Sequence, residues 1–364
     1  MPVRPFARDD IPQVADLNWR VLRGRKGPPP SRLTSFLQEA YFANPWLDGA
    51  QPSLVYETAD GKVVGFLGVI ARKMSLRGQS LRVAFGGNFV VEPEFRSTLA
   101  GLHLLTTYMA GGQDVSQTDS ANDISRRLLE RLGFRTIVPF SVHWARPLRP
   151  AGYAAYELSR FAGRRVSAAL RFAAQPFCSV ADRMAARLRF SPFRQAEAVL
   201  HASELDAETL LRCLTEFRGD YALWAEYDAH SLQWLLSFME RVQARGKLRK
   251  LVLRDDHGKV VGWYIYGVKP GAVGEVVQIG GERQSMQRIL EHLFHDAWGQ
   301  GVVALHGVVN SSLMDEFSDK NCFFTCRGGW MLAHSRRPEI IERLTRGDAF
   351  LSRLDGEWSM GFGR

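Results

Sequence analysis

The stretch Phe89-Val-Val-Glu-Pro-Glu-Phe-Arg-Ser-Thr-Leu-Ala-Gly-Leu-His-Leu-Leu105 reads as a strand ending at Val91, a turn set by Pro93 and a helix starting near Gly101. A strand that hands over to a helix through a tight loop leaves the first amides of the helix without intrahelical acceptors. Those donors and the positive end of the helix dipole together make an anion site. Arg96 adds a fixed charge suited to a phosphate. The stretch is read as a phosphate cradle.

Outward from it, the flanking pattern gives a mixed sheet. Ser53–Glu57 and Lys62–Ile70 are β-rich and flank Ala59-Asp60-Gly61, a hairpin signal. A strand from Leu81 leads into the cradle, whose helix runs to Ala110. A brief strand (Asp114–Gln117), a helix (Asn122–Leu132) and a last strand (Thr136–Trp144) follow. Upstream lie a short strand (Val3–Phe6), a helix from Asp9 to Leu22 with Pro12 in its first turn, the loop Arg23–Ser31, and a helix over Arg32–Tyr41. An antiparallel meander followed by a strand-helix-strand crossover predicts an α/β fold (an α+β mixed sheet) with helices on both faces.

Val91-x-Pro93-Glu94-Phe95-Arg96-x-x-x-x-Gly101, together with Asn122 and the later Leu132-Gly133-Phe134, resembles the acyl-CoA signature of the GNAT N-acetyltransferase superfamily. The resemblance implies acetyl-CoA or another acyl-CoA as co-substrate. Its pyrophosphate would lie on Arg96, Ser97, Thr98, Leu99, Ala100 and Gly101, with Asn122 nearby. Main-chain amides of Phe89, Val90 and Val91 would polarise the thioester, in oxyanion-hole fashion. Direct attack by an amine would need a base, and Glu92 and Asp119, at the ends of the strands flanking the expected cleft, are the candidates. Asp119 is also placed to cap the next helix. Two positions depart from the signature: Leu99 stands where its first glycine is expected, and Leu129 where the family often has a tyrosine acid. The loop cations Arg23, Arg25, Lys26 and Arg32 would border the acceptor or simply be solvated.

Gly61-Lys-Val-Val-Gly-Phe66 recurs as Gly258-Lys-Val-Val-Gly-Trp263. Strands at Leu248–Arg254, Glu275–Gly280, Val302–Gly307 and Gly329–His334 alternate with helices at Ser285–Trp298 and Ser312–Ser318, as in a second copy of the fold. Its loop Gly280-Gly-Glu-Arg-Gln284 lacks the family spacing, so a degenerate copy is expected. The predicted organisation is two GNAT-like domains, 1–148 and 199–364, joined by an Arg-rich helical linker, 149–198.

The 364-residue length itself suits two domains, and 46% hydrophobic with 23% charged residues is ordinary for a folded chain. Arg146–Gln195 holds ten arginines against two acids, Glu157 and Asp182, nearly all of the net +9. A charge so localised argues against a general nucleic-acid surface, and no specific nucleic acid is expected. The segment 150–194 reads as a linker with solvated arginines or as a peripheral contact with anionic lipid. No run of 18 apolar residues and four scattered cysteines (Cys178, Cys213, Cys322, Cys326) fit a cytoplasmic chain. Cys322-x-x-x-Cys326 and His292-x-x-His295 lack further ligands, and no metal is expected. The expected partner is a small-molecule or cell-envelope amine. The alternatives are a CoA-binding sensor without catalysis and a Fem-like aminoacyl transferase.

Overall fold

The computed structural model describes residues 2–161, 177–194, 199–219, 221–242, 245–326 and 329–362. The chain forms two compact units. Unit 1 takes Met1–Ser141, Asp220–Ala244 and Gly328–Arg364, and unit 2 takes Val142–Gly219 and Arg245–Arg327.

The sheet of unit 1 runs β1 (Val3–Pro5), β2 (Leu54–Glu57), β3 (Val63–Leu76), β4 (Gln79–Val91), β5 (Val115–Ala121), then a strand from far along the chain, β15 (Trp330–His334), and β6 (Arg135–Thr136). Two short strands, β9 (Leu223–Ala225) and β16 (Ala349–Phe350), extend it beside the far end of β3. Every residue of β3 except Lys73 is buried. A strand covered on both faces needs apolar residues throughout rather than at alternate positions. On one face, Leu67 and Val69 pack with Leu104, Leu105 and Tyr108 of α3 (Ala100–Met109) and Leu129 of α4 (Asp123–Arg131). On the other, Phe66 meets Phe6 at 5.0 Å and Tyr41 at 5.6 Å. That face carries α1 (Ile11–Leu17) and α2 (Ser31–Phe42), and Phe36 of α2 lies 5.8 Å from Phe238 of α8 (Ala229–Val242). The helix expected over Asp9–Leu22 is three pieces. A 3₁₀ turn at Arg8–Asp10 precedes α1, and a π-turn at Asn18–Leu22 follows it.

Asp10 fixes the entry to this helix. Its carboxylate accepts from Arg4 at 2.7 and 2.8 Å and from the Ala7 amide at 2.8 Å. The Arg4 hydrogen bond, the largest influence, holds its pKa below the ordinary carboxylate value. A depressed carboxylate stabilises the fold above its unfolded pKa of about 3.9 and loses that contribution as pH falls through the folded value. Asp10→Asn is therefore expected to lower the Tm by several degrees at pH 7. Thermal scans of the two proteins should converge as pH falls below about 3.9.

Unit 2 has the sheet order β14 (Phe323–Thr325), β7 (His143–Pro147), β13 (Ala304–Val308), β12 (Val273–Gly281), β11 (Val260–Val268), β10 (Lys247–Arg254) and β8 (His201–Glu204). Its core gathers Leu290 and Leu293 of α9 (Met286–Gly299), Tyr264 and Tyr266 of β11, and Trp144 of β7. The helices α5 (Pro150–Phe161), α6 (177–187), α7 (Ala207–Glu216) and α10 (Met314–Asp319) complete it, while α11 (Pro338–Thr345) belongs to unit 1.

The two halves exchange their last strands. The run Thr136–Trp144, expected as one strand, is two: β6 pairs with β15 in unit 1, and β7 pairs with β13 in unit 2. Pro139, in the 3₁₀ turn Val138–Phe140, breaks the run because it has no amide for a ladder. Gly329–His334, expected to close the second copy, is β15 of the first unit. The units therefore do not follow the consecutive boundaries at 148 and 199. Parts of the basic segment, 162–176 and 195–198, lie outside the described residues. Of the described part, Asp182 of α6 accepts from the Ala151 and Gly152 amides at 2.8 and 3.1 Å, holding the start of α5. Arg149 donates to Trp298 O at 2.7 Å. Among the described residues no helix is long and apolar enough to cross a membrane.

Candidate active site

The site of unit 1 is a gap between two parallel strands. β4 and β5 pair only at Val83, Ala84 and Phe85, opposite Val115, Ser116 and Gln117. Beyond Phe85 the strands part, and among the described residues the amides of β4 that point toward β5 have no ladder partner in the sheet. The hydroxyl of Tyr108, from α3, sits at the fork. It donates to Ala84 O at 2.6 Å and accepts from Gln117 N at 3.1 Å. Burial pushes its pKa up, so it stays a neutral plug.

Two bulges shape the gap. On β4, Asn88 and Phe89 together oppose Leu67 of β3, and Asn88 takes a left-handed φ of 49°. On β5, Asp119 and Ser120 together oppose Met331 of β15. A bulge adds a residue, bends the strand and re-aims side chains. That is how Thr118, Asp119 and Ser120 all reach one segment, residues 352–362 near the C-terminus. Glu357 Oε1 accepts from Thr118 Oγ1 at 2.8 Å and Ser120 Oγ at 2.6 Å, and Asp119 Oδ2 accepts from the Trp358 amide at 3.3 Å. Glycine at position 87 of β4 makes room for this carboxylate, because a Cβ there would overlap Glu357 Oε2 and displace it. Burial, the largest influence, raises the pKa of Glu357, with hydrogen bonds from Ser120, Thr118 and Asp119 opposing it. Asp355, also raised by burial, accepts from Tyr227 at 2.8 Å and from Ser352. Arg72 of β3 donates to Asp355 O and stacks 3.6 Å from the Trp46 ring; burial lowers its pKa to about 10.

At the open end of β4 the chain turns through a 3₁₀ turn, Pro93–Phe95, into α3. Arg96 Nε donates to Val91 O at 3.3 Å, which tethers this exposed side chain beside the loop. Thr98 Oγ1 accepts from the Ala100 amide at 3.2 Å. Helix geometry provides no intrahelical acceptor for the Gly101 and Leu102 amides. A Cβ on Gly101 would press the Phe89 ring at 3.3 Å, so glycine lets α3 start close against β4.

The sequence matches no family model, and no curated protein matches it. The structure does have counterparts. A GCN5-related N-acetyltransferase from Anabaena variabilis superposes with a TM-score of 0.58 at 10% identity, covering 92% of this chain and 73% of that one. One from Kribbella flavida gives 0.54 at 12%, over 92% and 71%. Saccharomyces cerevisiae N-myristoyltransferase with bound myristoyl-CoA gives 0.52 at 11%, over 91% and 78%. The fold is that of the GNAT N-acyltransferases.

On this GNAT frame the residues anticipated from sequence separate into those the structure gathers and those it assigns elsewhere. Phe89, Val90 and Val91 line the parted edge of β4, and Arg96, Ser97, Thr98, Leu99, Ala100 and Gly101 form the loop and first turn of α3. Leu99 sits at φ −80° and is 59% exposed, so the missing glycine neither strains the backbone nor fills the loop. Asn122 caps α4, its side chain accepting from Ser125 N at 2.9 Å. The cap is therefore Asn122, and Asp119 faces residues 356–358 instead. Glu92 is buried and its carboxylate takes Arg20 at 2.5 Å, an ion pair that ties the end of β4 to the π-turn. Leu129 is core. Leu132-Gly133-Phe134 is a helix stop, with Gly133 at φ 93° and Phe134 N bonded to Leu129 O at 3.0 Å. Arg23 of the loop after α1 binds Phe362: its Nη2 donates to the carbonyl at 3.2 Å and its guanidinium lies 4.6 Å from the ring. His292 shares a 3.0 Å hydrogen bond with Tyr264, and Cys322 is buried in the unit 2 core.

Glu357 was not anticipated. It lies more than 230 residues from the strand it touches, and no local pattern marks it.

Proposed function

We propose that the chain is an acyl-CoA-dependent N-acyltransferase that moves a short acyl group, acetyl first, to an amine by direct attack on the thioester. The observation that carries this is the parting of β4 from β5 beyond Phe85, leading along unpartnered β4 amides to the α3 cradle. The cradle amides and Arg96 suit a pyrophosphate, and amides near the Asn88–Phe89 bulge suit a developing oxyanion. Tyr108 closes the inner end of the gap, which favours a short acyl group. Asp119 and Glu357 give the gap an acidic wall that fits an ammonium, whether on a small molecule or on a cell-envelope intermediate. Holding both reactants in line accounts for much of such a reaction, roughly 7–11 kcal/mol of barrier.

Unit 2 is read as a copy without this activity. Its β12 and β13 also part, after Glu275 and His306, but Ser285 Oγ and Gln284 Nε2 before α9 both donate to Glu282, which also pairs with Lys259. The chain's own carboxylate thus sits where an anion would.

The test is thermal unfolding with acetyl-CoA. At 100-fold its Kd a ligand stabilises by about 2.7 kcal/mol. Wild type is expected to show the corresponding rise in Tm, and Arg96→Ala most of its loss at the same concentration. Equal stabilisation of both proteins would remove Arg96 from the cradle, and none in wild type would remove acyl-CoA.

A further inference from the structure

Resting on the acyl-transfer reading above, we propose that Glu357 and Asp119 act as a proton-sharing carboxyl pair that receives the proton of the attacking ammonium. Their place in the gap carries the inference. Glu357 Oε2 lies over Gly87 of β4, one residue before the Asn88–Phe89 bulge, where only a glycine leaves room for it. Its Oε1 is held by Thr118 and Ser120, and Asp119, between them on β5, accepts from the next amide, Trp358 N, through Oδ2 at 3.3 Å. Ser120 is exposed and Asp119 half-buried at the edge of the gap, while Glu357 behind them is buried. The segment that carries Glu357 is pinned at Phe362, whose ring lies 5.1 Å from Phe36.

Two adjoining carboxyls do not both ionise readily, because the second charge is repelled by the first. Among the described residues, the groups facing the pair include a cation, Arg72 from β3, whose charge acts on Asp119 and whose hydrogen bonds go to Asp355 O and Met360 Sδ. The others are Tyr41 from α2 and Tyr108 from α3, both held neutral by burial, and Asp355 from the same segment. Burial raises the proton affinity of Glu357, with hydrogen bonds from Ser120, Thr118 and Asp119 opposing it, and so brings a carboxylate base closer to working pH. In the step, an N–H proton of the ammonium passes to the pair and the freed lone pair forms the N–C bond. As the C–S bond breaks, a second N–H proton leaves the nitrogen and passes, directly or through water, to the departing thiolate, leaving a neutral amide and the free thiol.

The test uses the full chain, acetyl-CoA and four amines: tyramine, glucosamine, spermidine and a glycine-led peptide. Thiol release is followed against pH. The pair predicts a kcat/KM that rises with pH through one ascending limb. Glu357→Gln should lower kcat by about 10²–10⁴-fold and abolish that limb, while its stabilisation by acetyl-CoA stays that of wild type. Should the buried variant fail to fold, Ser120→Ala, at an exposed position, removes one donor to the carboxylate and should move the limb to higher pH. Acetyl-CoA stabilisation of wild type with no thiol release for any amine overturns the pair. So does a Glu357→Gln or Ser120→Ala protein with the wild-type limb. Loss of acetyl-CoA stabilisation in wild type itself would instead overturn the acyl-CoA reading beneath it.

Discussion

Trp144→Ala is expected to cost unit 2 about 3–5 kcal/mol, the range for removing a large aromatic side chain from a packed interior. Trp144 is fully buried, with its ring 4.8 Å from Phe317 and 6.1 Å from Phe294. Its indole lies so close over Gly307 of β13 that a Cβ there would stand 2.8 Å from Nε1. The surroundings are strand backbone and aromatic rings, which collapse poorly into a cavity, so the cost belongs at the upper end. Trp144→Phe is the informative contrast. The indole Nε1 is buried with no hydrogen-bond partner among the described residues, so a phenyl ring keeps much of the packing and removes an unsatisfied donor. Urea unfolding followed by hydrogen exchange separates the cases. The Ala variant should lose protection in β7, β13 and α9 while β3 and β4 keep theirs. Equal loss in both groups of strands would mean that β7 does not belong to a separately stabilised unit.

That β7 is a strand was legible; its partner was not. Aromatic and β-branched residues at Ser141–Trp144 mark a pleated, half-buried segment, but they carry no information about which edge receives it. The same holds for Trp330–His334. Both segments contain strands, but neither closes the copy it was expected to close: β7 lies in the sheet of unit 2 and β15 in that of unit 1. Pairing of this kind is decided by tertiary packing between segments far apart in the chain, which periodicity does not sample.

The cradle was legible because its parts are consecutive. Val91, Pro93, Arg96 and Gly101 act through local backbone geometry, and a loop that opens a helix can be read from its own residues. The other wall of the gap is built from β5 and from 352–362, so Glu357 meets Thr118 and Ser120 only in the folded chain. Asp119 lies within β5, near its end, and its partner, the segment around Trp358, gave no sign in the sequence. Glu92 illustrates the reverse case. It stands at the correct end of β4 for a base, and the fold has paired it with Arg20 instead. A carboxylate at a strand end is a candidate only until its cation is known.

Tyr108 is the second residue whose removal should have a large effect, and the effect should be on specificity as well as stability. Its ring lies 3.1 Å from where a Cβ on Gly86 would sit, and its hydroxyl bonds both strands at the fork. Tyr108→Ala is expected to cost about 3–5 kcal/mol for the lost aromatic packing and to open the inner end of the gap. Tyr108→Phe keeps the ring and costs about 1–3 kcal/mol, for the strand groups it leaves unbonded. Only the Ala variant gains length. Each methylene it can bury is worth about 0.8 kcal/mol, so several should raise the kcat/KM of octanoyl-CoA relative to acetyl-CoA by more than tenfold. The Phe variant should keep the wild-type preference, because the ring, not the hydroxyl, occupies the space. Initial rates across an acyl-CoA series from acetyl to octanoyl, taken with urea unfolding of each variant, measure both effects. An unchanged preference in a folded Tyr108→Ala protein would show that the acyl chain does not run toward the fork. The short-chain reading would then lose its physical basis, because it rests on Tyr108 closing the strands where β4 and β5 meet.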